Sequence, residues 1–554
     1  MITTNPSPLS MLFAKLSDNL KVISAKIMNK AQKNLPIGDS TLSQIRARNA
    51  IYVDKTQHLL QIINSGRYFF LSRPRRFGKS LTIDTLKQLF LGNKTLFKDT
   101  FAEDNWDWDV TYPVIHLSFG GSSAYNSERT TLDIIELTLE EHAKAHDISL
   151  PKRDYGAQLH YLIRALHEKY NQPVVLLVDE YDKPILDVIT DEHAAIRNRE
   201  ILKGVYSVIK DNDVHLKFVL LTGVTRFSKV SLFSGLNNLE DISLMQPYAD
   251  ICGYTQSELE SAFQDYLIDV DKDKLKKWYN GYNFGGHAQQ KVYNPYDILL
   301  FIRNQYEYRD YWFQTGTPSF LIQLLQKHRY RVPDFENYQV QARFIDSIDV
   351  KNIPLEALLF QAGYLTIKEK INIGMQIGYR LKYPNLEVKA AFNNCVSLIG
   401  TNSHANAVNT SRLSDSLLSD DWQMFYDCVV ALYASIPNEW YRNNPIQDYE
   451  GFYCTVIYSY LTALGYDVVA EDSTAIGRID ISIVIPDYKV IILELKVAND
   501  KDLSKDALQQ IIDKNYAHKF LHLGFPIYQV GISFDQNTRA VNGFVVEPFL
   551  NNEN

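Results

Sequence analysis

The stretch RYFFLSRPRRFGKSLTIDTLKQLFLG, Arg67–Gly92, decides the fold. RYFFLS is an apolar run of strand length, and LTIDTLKQLFLG repeats its apolar residues at helical spacing. A strand, a loop ending in Gly-Lys-Ser and a helix follow one another in the order of a phosphate-binding loop. In such a loop the amides of the turn and of the helix N-terminus surround a phosphate. Lys79 can then reach the β- and γ-phosphates, and the Ser80 hydroxyl can ligate Mg²⁺. One residue breaks the pattern. Arg73 stands where glycine usually opens the loop, although Gly78, the glycine nearest the phosphates, is kept.

Downstream, QPVVLLVDEYDKPIL reads as a buried strand ending in Asp179 and Glu180. The first carboxylate is placed to hold Mg²⁺ and the second to polarise an attacking water. An acidic pair after a strand can also cap a helix; the loop upstream favours the catalytic reading. A further run, LKFVLLTGVTRF, ends in Thr222 and Arg226. Thr222 suits a γ-phosphate sensor and Arg226 a source of transition-state charge, and capping or surface roles fit both equally well. With YPVIHLSF, these runs alternate with helical segments over residues 35–250, the pattern of a parallel sheet covered by helices.

The chain has 554 residues, too many for one core, so two or three domains are expected. A net charge of −8 argues against indiscriminate nucleic-acid binding and leaves room for local basic patches. The four cysteines show no metal-ligand spacing, which fits a reducing cytoplasm. No apolar run is long enough to span a membrane. Residues 1–34 read as an arm with a weakly amphipathic pattern and no signal-peptide features. Residues 251–435 read as helical and aromatic-rich, and FQAGYLTIKEKINIGMQIGYRLKYPNLEV as a helix end and small hairpin of winged-helix type. Trp278, Tyr279, Tyr282, Tyr293 and Trp312, at helical spacing among apolar residues, read as core rather than as base-stacking groups. Residues 436–554 form a second α/β pattern, and no linker of low complexity separates the parts.

Several segments together carry a family resemblance: LPIGDSTLSQIRARNAIYVDKT, SRPRRFGKSLT, VVLLVDEYDKPI, LTGVTRFSKVSLFSGLNNLEDIS, KWYNGYNF and VYNPYDIL. They resemble the prokaryotic AAA-ATPase-like family, whose members end in a nuclease-superfamily domain. The resemblance implies ATP binding. It also implies that the arginine-rich loop is the family's ordinary form, with Arg75 and Arg76 neutralising phosphate charge.

Near the C-terminus, YDVVAEDSTAIGRIDISIVIPDYKVIILELKVAND reads as three strands with turns between them. Asp480 follows the turn, and Glu494 and Lys496, two apart on a strand, share a face. This stretch resembles the PD-(D/E)XK nucleases, in which the acids hold Mg²⁺ and the lysine orients or activates water. Glu450, in the preceding helix, corresponds to another metal-proximal acid, and Gln510 and Tyr516 to groups that support the site. The expectation is an ATPase joined to a Mg²⁺-dependent nuclease acting on DNA or RNA, in a chain that can self-associate. The alternative is an ATP-driven assembly switch whose nuclease-like domain binds nucleic acid or a partner without cutting.

Overall fold

The computed structural model describes residues 33–121, 128–227, 238–286, 291–313, 332–346, 348, 354–397, 403–434 and 450–550. Most of the arm expected at 1–34 lies outside them. The four apolar runs become β1 (Tyr68–Ser72), β2 (Val114–Ser118), β3 (Val174–Asp179) and β4 (Leu216–Gly223), joined by the two-residue β5 (Glu240–Asp241). All pair in parallel, in the order β2-β3-β4-β1-β5. Residues of β1, β3 and β4 are buried almost throughout, because helices cover the sheet, which is why these strands lack apolar-polar alternation. The helices Tyr155–Tyr170 and Glu192–Asp211 begin at side-chain caps, Asp154 accepting from the Ala157 amide and Asp191 from the Ala194 amide.

This order has a consequence for the chemistry. The register Leu71↔Thr222 on one side of β4 and Val178↔Leu221 on the other puts the end of β4 between the phosphate loop and the acidic pair.

The middle of the chain contains the helices Lys272–Tyr279, Pro295–Arg303 and Leu355–Ala362, followed by a hairpin of β7 (Thr366–Ile373) and β8 (Gln376–Lys382). A strand not read from the sequence, β6 (Tyr338–Gln341), pairs with β8 and makes a three-stranded sheet. Tyr279, Tyr282, Tyr293 and Trp312 are buried in the apolar clusters and Trp278 packs against one of them, as core residues do.

The C-terminal part starts with the helix Glu450–Ala463. It continues through β9 (Asp467–Ser473), β10 (Arg478–Ile485), β11 (Lys489–Ala498), the helix Ser504–Asp513, β12 (Ile527–Asp535) and β13 (Val541–Pro548). The sheet runs β13-β12-β11-β10-β9, and only β11 and β12 are parallel. Their crossover is the helix Ser504–Asp513, whose Ala507, Leu508 and Ile511 are buried. The helix Leu386–Ser397 packs along Glu450–Ala463. One cluster of buried apolar side chains is continuous from Leu42 to Val541, so the parts share a core. Among the described residues no helix is long and apolar enough to cross a membrane.

Candidate active sites

Arg73 does not face the phosphate site. It is about 1% exposed, and its guanidinium donates to the carbonyl oxygens of Ser72 at 2.9 Å, Ser243 at 2.7 Å and Tyr248 at 2.8 Å. It also stands 4.1 Å over the ring of Phe284. Its amide bonds the Gly223 carbonyl, extending the β1–β4 pairing into the loop. Burial pulls its pKa down to about 10, which leaves it charged near neutrality. The residue that breaks the motif is therefore a fastening between the loop and the segment after β5.

The loop turns back at two left-handed residues, Arg76 (φ 68°) and Gly78 (φ 95°). Space is not what requires glycine at 78, since a Cβ there would meet nothing within 4 Å; the backbone angle does. Lys79 opens the helix Lys79–Phe90 and is buried, its Nζ donating to the carbonyls of Arg73 at 2.9 Å and Pro74 at 3.0 Å. Burial lowers its pKa, opposed by Asp179, Glu180 and Asp182. Arg75 and Arg76 are exposed, and Arg76 lies 4.8 Å from the ring centre of Tyr296.

Asp179 and Thr222 meet at the strand ends, where the Thr222 hydroxyl donates to Asp179 Oδ1 at 2.7 Å. Asp179 Oδ1 also accepts the Glu180 amide at 3.1 Å. Glu180 adopts a left-handed backbone (φ 53°), and its carboxylate lies over Gly120, beyond β2. Burial, reinforced by Asp179, raises its pKa. Arg226 is turned elsewhere. Its guanidinium is bound to Asp241 at 2.7 and 2.8 Å, its amide to Gln361 at 2.8 Å, and it does not line the adjoining cavity.

That cavity, about 860 Å³, is lined by Arg75, Arg76, Gly78, Lys79, Ser80 and Glu180, and its size falls in the range of ligand sites. Apolar side chains also line it, among them Ile51, Val53, Tyr254, Tyr296 and Leu299, none of which sequence reading had marked as functional. Asp182 was also missed. It is buried, and its Oδ2 accepts from the Thr225 amide and hydroxyl, each at 2.6 Å, and the Val224 amide at 3.0 Å, shaping the exit of β4.

In the C-terminal sheet, β10 and β11 pair antiparallel through Ile481↔Leu493, and one more step of that register sets Asp480 opposite Glu494. Asp480 Oδ2 accepts the Leu495 amide at 2.8 Å. Glu494 is about 2% exposed, with Lys496 Nζ 3.8 Å from its Oε1 and the Gln510 side-chain amide donating to the same oxygen. Tyr516 donates to the Arg478 carbonyl at 2.7 Å, and its pKa is raised by burial and by Glu494. Asp480, Glu494, Lys496, Gln510 and Tyr516 are thus gathered around one end of β10 and β11. Glu450 opens its helix, but its side chain lies outside the described residues.

The donors at both places are hydroxyl and carboxylate oxygens, which suit Mg²⁺ better than a thiolate- or imidazole-seeking metal. Among the described residues no three His, Cys, Asp or Glu side chains converge. Water and phosphate oxygens would complete either shell.

The family description "Predicted AAA-ATPase" matches residues 36–233, and "PD-(D/E)XK nuclease superfamily" matches residues 448–544. A protein of Azotobacter chroococcum mcd 1, named "Uncharacterized protein in vnfD 5'region", is 46% identical over 520 residues, covering 93% of this chain and 99% of the relative. The chain belongs to the AAA-ATPase-like family with a C-terminal PD-(D/E)XK domain. The AAA-ATPase match spans β1 to β4 and contains every N-terminal candidate from Arg75 to Arg226, while Asp241, which holds Arg226, lies beyond it. The PD-(D/E)XK match contains Glu450, Asp480, Glu494, Lys496, Gln510 and Tyr516.

Proposed function

We propose that this AAA-ATPase-like chain hydrolyses ATP at the cavity beside β1 and β3, and that nucleotide state controls Mg²⁺-dependent cleavage of DNA or RNA phosphodiesters at Asp480, Glu494 and Lys496. In this reading Lys79 exchanges its two carbonyl partners for phosphate oxygens, and Arg75 and Arg76 balance charge at the mouth. Ser80 and Asp179 hold Mg²⁺, which neutralises phosphate charge when bound. Thr222 keeps Asp179 in place, and Glu180 takes the proton of the attacking water. In the second site Asp480 and Glu494 hold the metal, Gln510 orients Glu494, and Lys496 orients the attacking water.

The observation that carries the coupling is Trp312. Its indole N–H donates to the Arg75 carbonyl at 3.1 Å, and its backbone amide donates to Glu387 Oε1 at 2.7 Å. Glu387 lies on the helix Leu386–Ser397, which packs along the helix leading into the nuclease-like sheet. A change in the phosphate loop thus has a packed route to the second site.

Purified protein with Mg²⁺ and a mixed DNA and RNA substrate tests both halves, with Lys79→Ala and Lys496→Ala beside the wild type. Lys79→Ala is expected to abolish hydrolysis, and Lys496→Ala to abolish cleavage while leaving hydrolysis intact. Cleavage that survives Lys496→Ala unchanged would overturn the assigned mechanism. An ATP-dependent change in mass with no cleavage under any divalent metal would point instead to a nucleotide-driven assembly.

A further inference from the structure

The β7–β8 hairpin carries four basic residues, Lys368, Lys370, Arg380 and Lys382, against one acid, Glu369, in a chain whose net charge is −8. Arg380 is neutralised by Glu369 at 2.6 Å. The lysines are not matched in this way. Lys382 feels Lys291, Lys368 and Lys389 around it, with Glu336 as the opposing acid. That acid is already engaged, forming a salt bridge with Lys389 and accepting the Tyr458 hydroxyl at 2.8 Å. Lys368 donates to an amide oxygen, that of Asn337, at 2.5 Å. Among the described residues Lys291, Lys370 and Lys382 form no ion pair. Burial and then Lys291 lower the Lys382 pKa, partly opposed by Glu336, with Lys368 and Lys389 adding to the lowering.

Two further features give this surface a direction. At the hairpin tip, after Gly374, Met375 is fully exposed and Ile377 is about half exposed, so apolar side chains project from a basic ribbon. At its root, Lys389 Nζ donates to the Val468 carbonyl of β9 at 2.6 Å, fastening the lysine group to the outer strand of the nuclease-like sheet. Lysines bind phosphates as point charges, and exposed apolar side chains beside them can wedge against bases.

We propose that the surface formed by Lys291, Lys368 and Lys382, with Met375 at the tip of the same hairpin, holds the phosphate backbone of a nucleic-acid strand next to the nuclease-like sheet. The inference rests on the reading of nucleic acid as substrate and adds where, outside the cutting site, the strand is held. Such contacts are electrostatic and blind to sequence.

The test is fluorescence anisotropy of fluorescein-labelled duplex DNA, single-stranded DNA and RNA, titrated with full-length protein across a salt series in EDTA, so that nothing is cut. Replacing Lys291, Lys368 and Lys382 together by Gln should weaken binding of every bound probe regardless of sequence. It should also make the slope of log affinity against log salt shallower by about 2 to 3, one phosphate contact being worth roughly 0.7–0.9. Arg at the same three positions should restore both affinity and slope, which separates charge from damage to the fold. A Gln variant with wild-type affinity and slope overturns this inference alone, as does an Arg variant as weak as the Gln one. Wild-type protein that binds none of the probes overturns the inference and the nucleic-acid reading together.

Discussion

Replacing Arg73 by Gly would give the loop the opening residue usual in phosphate-binding loops, and it should damage the protein. The substitution leaves the carbonyls of Ser72, Ser243 and Tyr248 without their guanidinium donor and removes the contact over Phe284. Each buried acceptor left unsatisfied costs about 1–3 kcal/mol, and a desolvated cation–π contact is worth about 2 kcal/mol. Against this, the desolvation that lowers the Arg73 pKa to about 10 is relieved, a gain of about 3 kcal/mol at ~1.4 kcal/mol per pKa unit. The balance is a loss of about 5 kcal/mol. At about 2–4 °C per kcal/mol for a domain of this size, the melting midpoint should fall by about 15 °C. Calorimetry or circular dichroism on full-length protein reads this directly. A midpoint equal to or above wild type would refute the reasoning and would mean the arginine only tolerates its burial.

Thr222→Val removes the donor to Asp179 and should weaken Mg²⁺-ATP binding by about tenfold and lower the melting midpoint by about 5 °C, the loss of about one buried hydrogen bond to a charged group; unchanged affinity by calorimetric titration would count against Asp179 as a metal-holding group. Asp297 and Glu387 are both fully buried, and burial raises the pKa of each, Asp297 to about 8. The native state therefore keeps protons that the unfolded chain releases above the ordinary carboxylate range, and stability should fall as pH rises from that range towards about 8. Asp297→Asn should flatten that decline in melts run across the window, and a decline as steep as wild type would show that another group causes it. Gly281 has φ 124°, and a Cβ there would come within 1.9 Å of the Pro384 carbonyl oxygen, so Gly281→Ala should cost more than about 3 kcal/mol and leave little folded protein; soluble protein with a wild-type melt would contradict this.

Residues that act through their own segment were the ones legible in the sequence. The runs of β1 to β4 announced buried strands because both faces are covered, and Gly78, Lys79 and Ser80 announced a phosphate loop because the backbone angle and helix start are local. Asp480, Glu494 and Lys496 were readable because strand periodicity and one turn bring them near each other. The purpose of Arg73 was not readable, since its partners Ser243 and Tyr248 lie some 170 residues away and offer only backbone carbonyls, which no side-chain pattern reveals. The tie between Arg226 and Asp241 depends on β5, a strand of two residues without an apolar run. The apolar part of the cavity lining comes from three separated segments, and its residues look like any core side chains until they line a cavity.

The packing of the helix Leu386–Ser397 along Glu450–Ala463 also sets a timetable for synthesis. The first helix leaves the ribosome before its covering partner has been made. At ordinary elongation rates the missing stretch takes roughly 3–13 s, longer than local helix formation or hydrophobic collapse by orders of magnitude. Throughout that interval the side of the first helix that packs on the second lacks its cover. A chain stopped short of Glu450 would keep that face bare permanently. Expressed pieces of this protein should therefore aggregate when cut between these helices and stay soluble when both are retained.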